Sequence, residues 1–164
     1  LDAVIVNPGV ILGAGSWRTG SGAIFKLACK GMSYFTSGSI AVVDVRDVVL
    51  AMQGLMNSDL KNERYILVGA TLSYKEFTKE LALAFDKNPP KKEIAEWKLL
   101  LISSIDGLVS SLFGTKRKLQ KANVKSLYTR SNYNAHKIEK ALSFSFTPVS
   151  QTIKRVASDY KSEH

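Results

Sequence analysis

Strand-like and helix-like segments alternate along the first half of the chain, and this alternation limits the fold to the α/β classes. The first segment, residues 3–6, is continuous, apolar and rich in β-branched side chains, which predicts a buried strand ending at Pro8-Gly9. Similar patterns predict a helix over 21–30, a strand over 40–45, a helix beginning at Asp47 and a strand over 65–68.

The second half is predicted to be mainly helical. Ser73 followed by Glu76 is a capping-box pattern, which indicates the start of a helix, and Pro89-Pro90 ends that helix. Further helices are expected over 91–113, 135–142 and 150–160.

The apolar part of 91–113 is not a predicted membrane span. Glu96, Lys98 and Asp106 interrupt it, whereas a spanning helix needs about twenty mostly apolar residues. We therefore expect this helix to pack in the protein core or at a subunit contact, and we expect no membrane contact.

The glycine-rich stretch after the first strand fits neither of the common phosphate-binding loops. Counting from Gly13, the dinucleotide fingerprint needs a third glycine where this chain has Arg18. A P-loop needs Lys followed by Ser or Thr after Gly20, where the chain has Ser21-Gly22. These glycines must therefore serve another purpose.

The net charge of +9 is concentrated in the second half. Residues 1–85 carry eight Lys or Arg against seven Asp or Glu, whereas residues 86–164 carry fifteen against seven. The densest cluster is Lys116-Arg117-Lys118 with Lys121 and Lys125. A basic module of this kind could bind nucleic acid or anionic lipid, but no aromatic residues interleave to stack on bases. A solvated helical face is therefore favoured, and no nucleic-acid partner is expected.

Cys29 is the single cysteine, so no disulfide can form within the chain, and we expect a cytoplasmic location. No spacing of His, Cys and carboxylates indicates a metal site. The chain begins at Leu1, with no basic region ahead of its apolar run, so we expect no signal peptide and interpret it as a piece of a longer protein.

Five motifs occur in an order that resembles one enzyme family. They are Asn7-Pro8-Gly9-Val10-Ile11-Leu12-Gly13, the stretch 43–49 with its Val-x-Asp, residues 63–67, Ser73-x-x-Glu76 and the closing segment 134–148. Together they resemble the extended short-chain dehydrogenases/reductases, the NAD-dependent epimerase/dehydratase family, and most of all its dihydroflavonol-4-reductase-like proteins.

The resemblance implies an α/β fold in two parts. Residues 1–70 would supply the C-terminal strands of a Rossmann-type parallel sheet, and residues 71–164 a mainly helical substrate-binding lobe. The whole would be a fragment of an NAD(P)-dependent reductase or epimerase acting on a small-molecule carbonyl or hydroxyl substrate.

The family's catalytic Tyr-x-x-x-Lys pair and its glycine fingerprint are missing from this chain. Tyr133 and Lys137 match the bare pattern, but they lie in the closing segment, which resembles a different part of the family. We therefore expect no catalytic residues and no activity in the chain alone. NAD or NADP is expected as the cofactor of the full-length protein, in which the missing N-terminal Rossmann half is the partner of this chain.

The resemblance also assigns sites by position. Pro8, Gly9, Val10 and Ile11 are expected to line the nicotinamide end of the cofactor site, although Pro-Gly ends a strand in any fold. The expected substrate-side residues are Asn7, Gly13, Trp17, Arg18 and Asp44. Packing of Trp17 within its own loop is an equally good interpretation.

Asp47 is expected to cap the helix that it begins, with a substrate contact as the lesser alternative. Sugar-nucleotide members of the family often have an arginine shortly before the Val-x-Asp, where it can pair with a diphosphate. Residues 38–42 contain none, which favours a carbonyl substrate without phosphates. Arg18, Arg46 or Arg155 remains another source of positive charge.

Two other functions remain open on the sequence. The chain could be a stand-alone interaction domain whose exposed strand edge is covered by a partner. It could also be the basic module described above. Assembly into a homo-oligomer is compatible with the enzyme interpretation.

Overall fold

The fold is built on short strands that pair mainly in parallel. The computed structural model describes residues 2–113 and 121–164. The strands are β1 Val4–Pro8, β2 Val10–Leu12, β3 Tyr34–Phe35, β4 Ser39–Asp44, β5 Glu63–Leu67, β6 Ala70–Ser73 and β7 Lys92–Glu93. The helices are α1 Gly20–Lys30, α2 Val45–Met56, α3 Tyr74–Ala84, α4 Glu96–Phe113, α5 Lys121–Ser126, α6 His136–Leu142 and α7 Val149–Glu163. The fold is α/β, as the alternation predicts.

The strands pair within three small sheets in the described part of the chain. β1 lies parallel to β5, from Val4 opposite Glu63 to Pro8 opposite Leu67. β2 lies parallel to β4, β6 lies antiparallel to β4, and β3 pairs in parallel with β7. The sequence did not predict β6, because the strand directly follows a strand-ending Gly69 and its last residue, Ser73, opens the capping box.

Gly9 alone joins β1 to β2, so the chain passes from one sheet to the next at a single residue. Its N–H donates to the Leu67 carbonyl oxygen at 3.0 Å. A Cβ at this position would lie 2.6 Å from the carbonyl oxygen of Ala41, so a larger residue would push two backbones apart.

Two apolar clusters hold the helices against the strands. The first includes Leu12, Trp17, Phe25, Phe77, Ile153 and Tyr160, and the second includes Val43, Val48, Tyr65, Leu67 and Ile138. Both clusters draw on residues 1–70 and on residues 71–164. The division of the chain into two domains at residue 70 stays a prediction.

The helix starting at the capping box is confirmed. The Ser73 hydroxyl accepts from the Glu76 N–H at 3.2 Å, and the Glu76 carboxylate accepts from the Ser73 N–H at 3.0 Å. Helices α1, α6 and α7 confirm the other predicted segments to within a few residues.

The segment 91–113 differs from its prediction in two ways. The helix starts only at Glu96, because Lys92–Glu93 pairs with β3. Of the two expected surroundings, the protein core is wrong for the described first half, where Trp97, Leu101 and Ile102 are 59, 53 and 49% exposed, and the subunit contact stays a prediction. The physical reason is that α4 packs mainly against α5 rather than against the sheets. Among the described helices, none combines the length and apolar character needed to cross a membrane.

Candidate functional site

A cavity of about 700 Å³ lies at the carboxyl ends of β1 and β5. Because these two strands are parallel, their carboxyl ends lie at the same edge of the sheet. The lining residues are Asn7, Pro8, Gly9, Val10, Ser39, Ile40, Ala41, Ile66, Val68, Tyr74, Ser126, Thr129, Ser131 and Tyr133. Ligands of α/β proteins bind outside the carboxyl ends of parallel strands, so this is the place where a ligand is expected.

The turn at Pro8-Gly9 forms one wall of the cavity. Pro8 ends β1, and its fixed φ and missing N–H suit a strand end. Val10 follows the turn and is 37% exposed. The wall therefore presents backbone and small apolar side chains, with no ionisable group.

A loop of residues 126–133 forms the opposite wall and is held by the start of β4. The Gly38 N–H donates to the Leu127 carbonyl at 3.1 Å, and the Ser39 N–H donates to the Thr129 carbonyl at 3.0 Å. The Ser39 hydroxyl donates to the Ser131 carbonyl at 3.1 Å and accepts from the Ser131 N–H at 2.9 Å. Hydrogen bonds within the protein therefore hold this wall in place without a ligand.

Two tyrosines lie on the cavity wall. Tyr74 is the first residue of α3 and is partly buried, and this burial raises the pKa of its phenol above the ordinary value of 10.0. Tyr133 comes from the loop and is 49% exposed. The phenol of Tyr74 is therefore protonated near neutral pH, and the hydroxyls of both tyrosines can donate hydrogen bonds.

The described lining contains no Asp, Glu, Lys or Arg. Tyr133 and Lys137, which match the family's catalytic spacing, have different surroundings in the structure. The Lys137 ammonium pairs with the Glu63 carboxylate and lies 5.0 Å from the centre of the Tyr65 ring. Tyr133 lines the cavity without that lysine, so no Tyr–Lys pair forms there.

The structure brings only some of the predicted site residues together. Asn7, Pro8, Gly9 and Val10 line the cavity, whereas Ile11, Gly13, Trp17, Arg18 and Asp44 do not. Gly13 instead abuts Val45, since a Cβ on it would lie 2.7 Å from Val45 Cγ1. Arg18 is exposed.

Trp17 belongs to the core rather than to the cavity wall. It is 7% exposed, and its ring meets the Tyr160 ring edge-on with the ring centres 5.0 Å apart. Its indole N–H donates to the Glu163 carboxylate at the end of α7. These contacts correspond to the packing interpretation of this residue.

Asp44 is 3% exposed and binds other parts of the protein. Its carboxylate accepts from Arg155 at 2.8 Å, from the Thr152 hydroxyl at 2.8 Å and from the Arg46 N–H at 2.9 Å. Burial alone would raise the pKa of Asp44, but these hydrogen bonds outweigh it and hold the pKa below its ordinary value. Because Arg155 is engaged by Asp44, it is not a free charge for a diphosphate.

The predicted capping role of Asp47 is wrong. The helix starts two residues earlier, at Val45, so Asp44 is the residue that caps it. The buried Asp47 carboxylate accepts instead from the Thr147 N–H at 2.7 Å and the Thr147 hydroxyl at 2.8 Å. It ties the segment before α7 to α2.

Sequence reasoning missed Tyr74, Tyr133 and the β4 start as cavity residues. A usable signal existed for Tyr74, since it follows the capping box directly after a short strand. None existed for the loop, because its position depends on hydrogen bonds to residues about 90 positions away in sequence.

Two predictions concern clusters of polar residues. Lys116, Arg117 and Lys118 lie outside the described residues, and the side chain of Lys121 is not described either. Among the described side chains, no group of three or more His, Cys, Asp and Glu could hold a metal ion.

No protein-family profile matches the chain, and no curated protein matches it significantly. Solved structures do. A nucleoside-diphosphate-sugar epimerase from Pseudomonas aeruginosa is similar with a TM-score of 0.71 at 17% identity, over 98% of this chain and 48% of that one. A UDP-glucose 4-epimerase from Thermus thermophilus, solved with NAD, gives 0.67 at 17% identity, over 100% and 48%. The fold is that of about half of an epimerase.

The likeness to the epimerase fold extends to a human epimerase family protein solved with NADPH. Its TM-score is 0.66 at 14% identity, over 95% of this chain and 48% of that one. The chain thus spans about half the length of these epimerases. At such identities the likeness concerns the fold alone.

Proposed function

We propose that the chain is the substrate-binding C-terminal portion of an NAD(P)-dependent reductase or epimerase, and that it is inactive by itself. The observation that carries the proposal is the cavity at the carboxyl ends of β1 and β5, lined by the Pro8-Gly9 turn. The epimerase fold and the five ordered motifs support it. The single cysteine, Cys29, is free, which suits a cytoplasmic enzyme.

The lining fits the nicotinamide end of a dinucleotide. The Pro8-Gly9 turn allows close approach of backbone to a flat ring, and Val10 offers an apolar contact. Pyrophosphate needs positive charge or the free N–H groups of a helix N-terminus. The described lining has neither Lys nor Arg, and at the start of α3 the N–H groups of Tyr74 and Glu76 already donate to Gly38 and Ser73. The phosphates and adenine would therefore be held by the N-terminal half. When bound, the nicotinamide accepts or donates a hydride.

A neutral carbonyl or hydroxyl compound is the substrate class that suits the cavity. Tyrosine, serine, threonine and asparagine side chains supply hydrogen bonds to such a substrate, and no described lining residue would neutralise a diphosphate. Arg155, one of the arginines considered from sequence, is bound to Asp44.

The proposal is tested by titrating the ¹⁵N-labelled chain with reduced nicotinamide mononucleotide and, as the matched control, with AMP. We expect the amide signals of Gly9, Val10 and Ile11 to shift with the nicotinamide compound and not with AMP. Val10→Ala should weaken this binding, by about fourfold for each buried methylene lost, whereas Val49→Ala on exposed α2 should not.

Turnover supplies the second part of the test. The chain incubated with NADPH and acetophenone should leave the NADPH absorbance unchanged, because the catalytic pair is missing. Hydride transfer by the chain alone would contradict the proposed inactivity. The absence of shifts at residues 9–11 with the nicotinamide compound would contradict the cofactor placement.

A further inference from the structure

Tyr74 is the most firmly positioned aromatic residue of the cavity wall. Its N–H donates to the Gly38 carbonyl at 3.1 Å, and its own carbonyl accepts from the Thr78 hydroxyl at 2.7 Å. The capping box of Ser73 and Glu76 precedes it, and its ring packs against the first apolar cluster. The side chain is therefore held in place before a ligand binds.

The Tyr74 hydroxyl is available for a ligand. In the described part of the chain it has no hydrogen-bond partner, and the only buried side-chain polar atoms without one there are the hydroxyls of Thr36 and Thr71. The Tyr74 oxygen is thus accessible rather than sealed in the core. Because burial of the ring raises the pKa of the Tyr74 phenol, the hydroxyl stays protonated near neutral pH and acts as a hydrogen-bond donor.

The surroundings of Tyr74 favour a neutral acceptor. The described lining has no carboxylate to accept its proton and no cation to attract a charged substrate. The Ser39 hydroxyl, the polar group at the start of β4, is already engaged by Ser131. Tyr133 lines the same cavity from the separate 126–133 loop and supplies a second aromatic surface.

We propose that Tyr74 is a specificity-determining residue of this site, whose hydroxyl donates a hydrogen bond to a neutral carbonyl or hydroxyl oxygen of the substrate. The assignment rests on the proposed function and names the residue that recognises the substrate oxygen. It predicts that the cavity discriminates between two ligands of the same shape when only one carries an acceptor.

The test uses the ¹⁵N-labelled 164-residue chain with two probes, acetophenone and ethylbenzene, which share a ring and differ in the carbonyl. Tyr74→Phe should weaken acetophenone binding about three- to tenfold, the size of one neutral hydrogen bond, and should leave ethylbenzene binding unchanged. Tyr34→Phe, which alters an exposed tyrosine of β3 outside the cavity, is the matched control and should change neither.

Each other outcome overturns the assignment. Equal acetophenone affinity in Tyr74→Phe and the unaltered chain would show that the hydroxyl makes no contact. An equal loss for both probes would show a packing effect only. If Tyr74→Phe does not fold, nuclear Overhauser effects between acetophenone and the Tyr74 ring in the unaltered chain decide the question, and their absence removes the proposal.

The same titrations separate this inference from the proposed function. Shifts at Gly9 with reduced nicotinamide mononucleotide, but none with acetophenone, would remove the role of Tyr74 and keep the cofactor placement. The absence of shifts with any probe would remove both.

Discussion

At the scale of single residues, Asp44 joins α2 to α7. It caps α2 through the Arg46 N–H and accepts further hydrogen bonds from Thr152 and Arg155 of α7, with Arg155 Nη2 within 2.8 Å of both carboxylate oxygens. Asp44→Asn removes the charge from these bonds, and we expect the free energy of unfolding to fall by about 1.5–3 kcal/mol. Urea unfolding measures the change. Asp159→Asn is the control, because this exposed carboxylate lies 3.5 Å from Arg155 and should contribute about 0–1 kcal/mol.

The same residue gives the stability a pH dependence of known sign. Because the folded pKa of Asp44 lies below its ordinary value of 3.8, the unfolded chain takes up the proton first as the pH falls. Its contribution is present above about pH 4 and is lost on acidification through the folded pKa. Between about pH 6 and pH 3, the unaltered chain should therefore lose more stability than Asp44→Asn. Parallel losses in the two proteins would show that Asp44 is not responsible.

At the scale of elements, the start of α3 supports the cavity wall. Ser73→Ala removes one direction of the capping box, and we expect a loss of about 1 kcal/mol in the free energy of unfolding. Acetophenone binding should also weaken, because Tyr74 is the next residue. Ser162→Ala, near the exposed end of α7, is the control and should leave both measurements nearly unchanged. Unaltered stability in Ser73→Ala would contradict the capping role.

Gly38 determines how closely the 126–133 loop approaches β4. A Cβ on it would lie 2.4 Å from the Leu127 carbonyl oxygen, so Gly38→Ala must displace the loop. We expect a loss of about 1–3 kcal/mol in thermal or urea unfolding, with shifted amide signals at Thr129 and Ser131. Gly69→Ala is the control, because its Cβ would meet no atom closer than 3.5 Å. Equal effects of the two substitutions would contradict the close approach.

At the scale of the whole molecule, the sequence predicts what local patterns determine. The capping box at Ser73, the strand end at Pro8 and the helical periodicity of α1 and α7 depend on neighbouring residues, and the structure confirms each of them. The local signal at Pro8-Gly9 predicts a strand end in any fold, and its place in the candidate site was expected from the family resemblance.

Long-range contacts explain what the sequence could not predict. Asp47 looked like a helix cap because its partner Thr147 is a hundred residues away, and nothing local marks that pair. Trp17 gave no sign that it would contact Tyr160 and Glu163. The 126–133 loop reaches the cavity only through hydrogen bonds to the start of β4.

The single residue between β1 and β2 restricts how this chain can change in length. Side chains alternate faces along a strand, so an added or deleted residue at Gly9 would exchange the buried and exposed positions of β2. Leu12 would leave the core while its neighbour entered. The segment between β2 and α1 belongs to no strand, so a change in its length shifts no strand register. The core contacts of Trp17 are the constraint on this segment. Natural variants that differ in length should therefore carry their insertions there, and the Pro-Gly turn should keep its two residues.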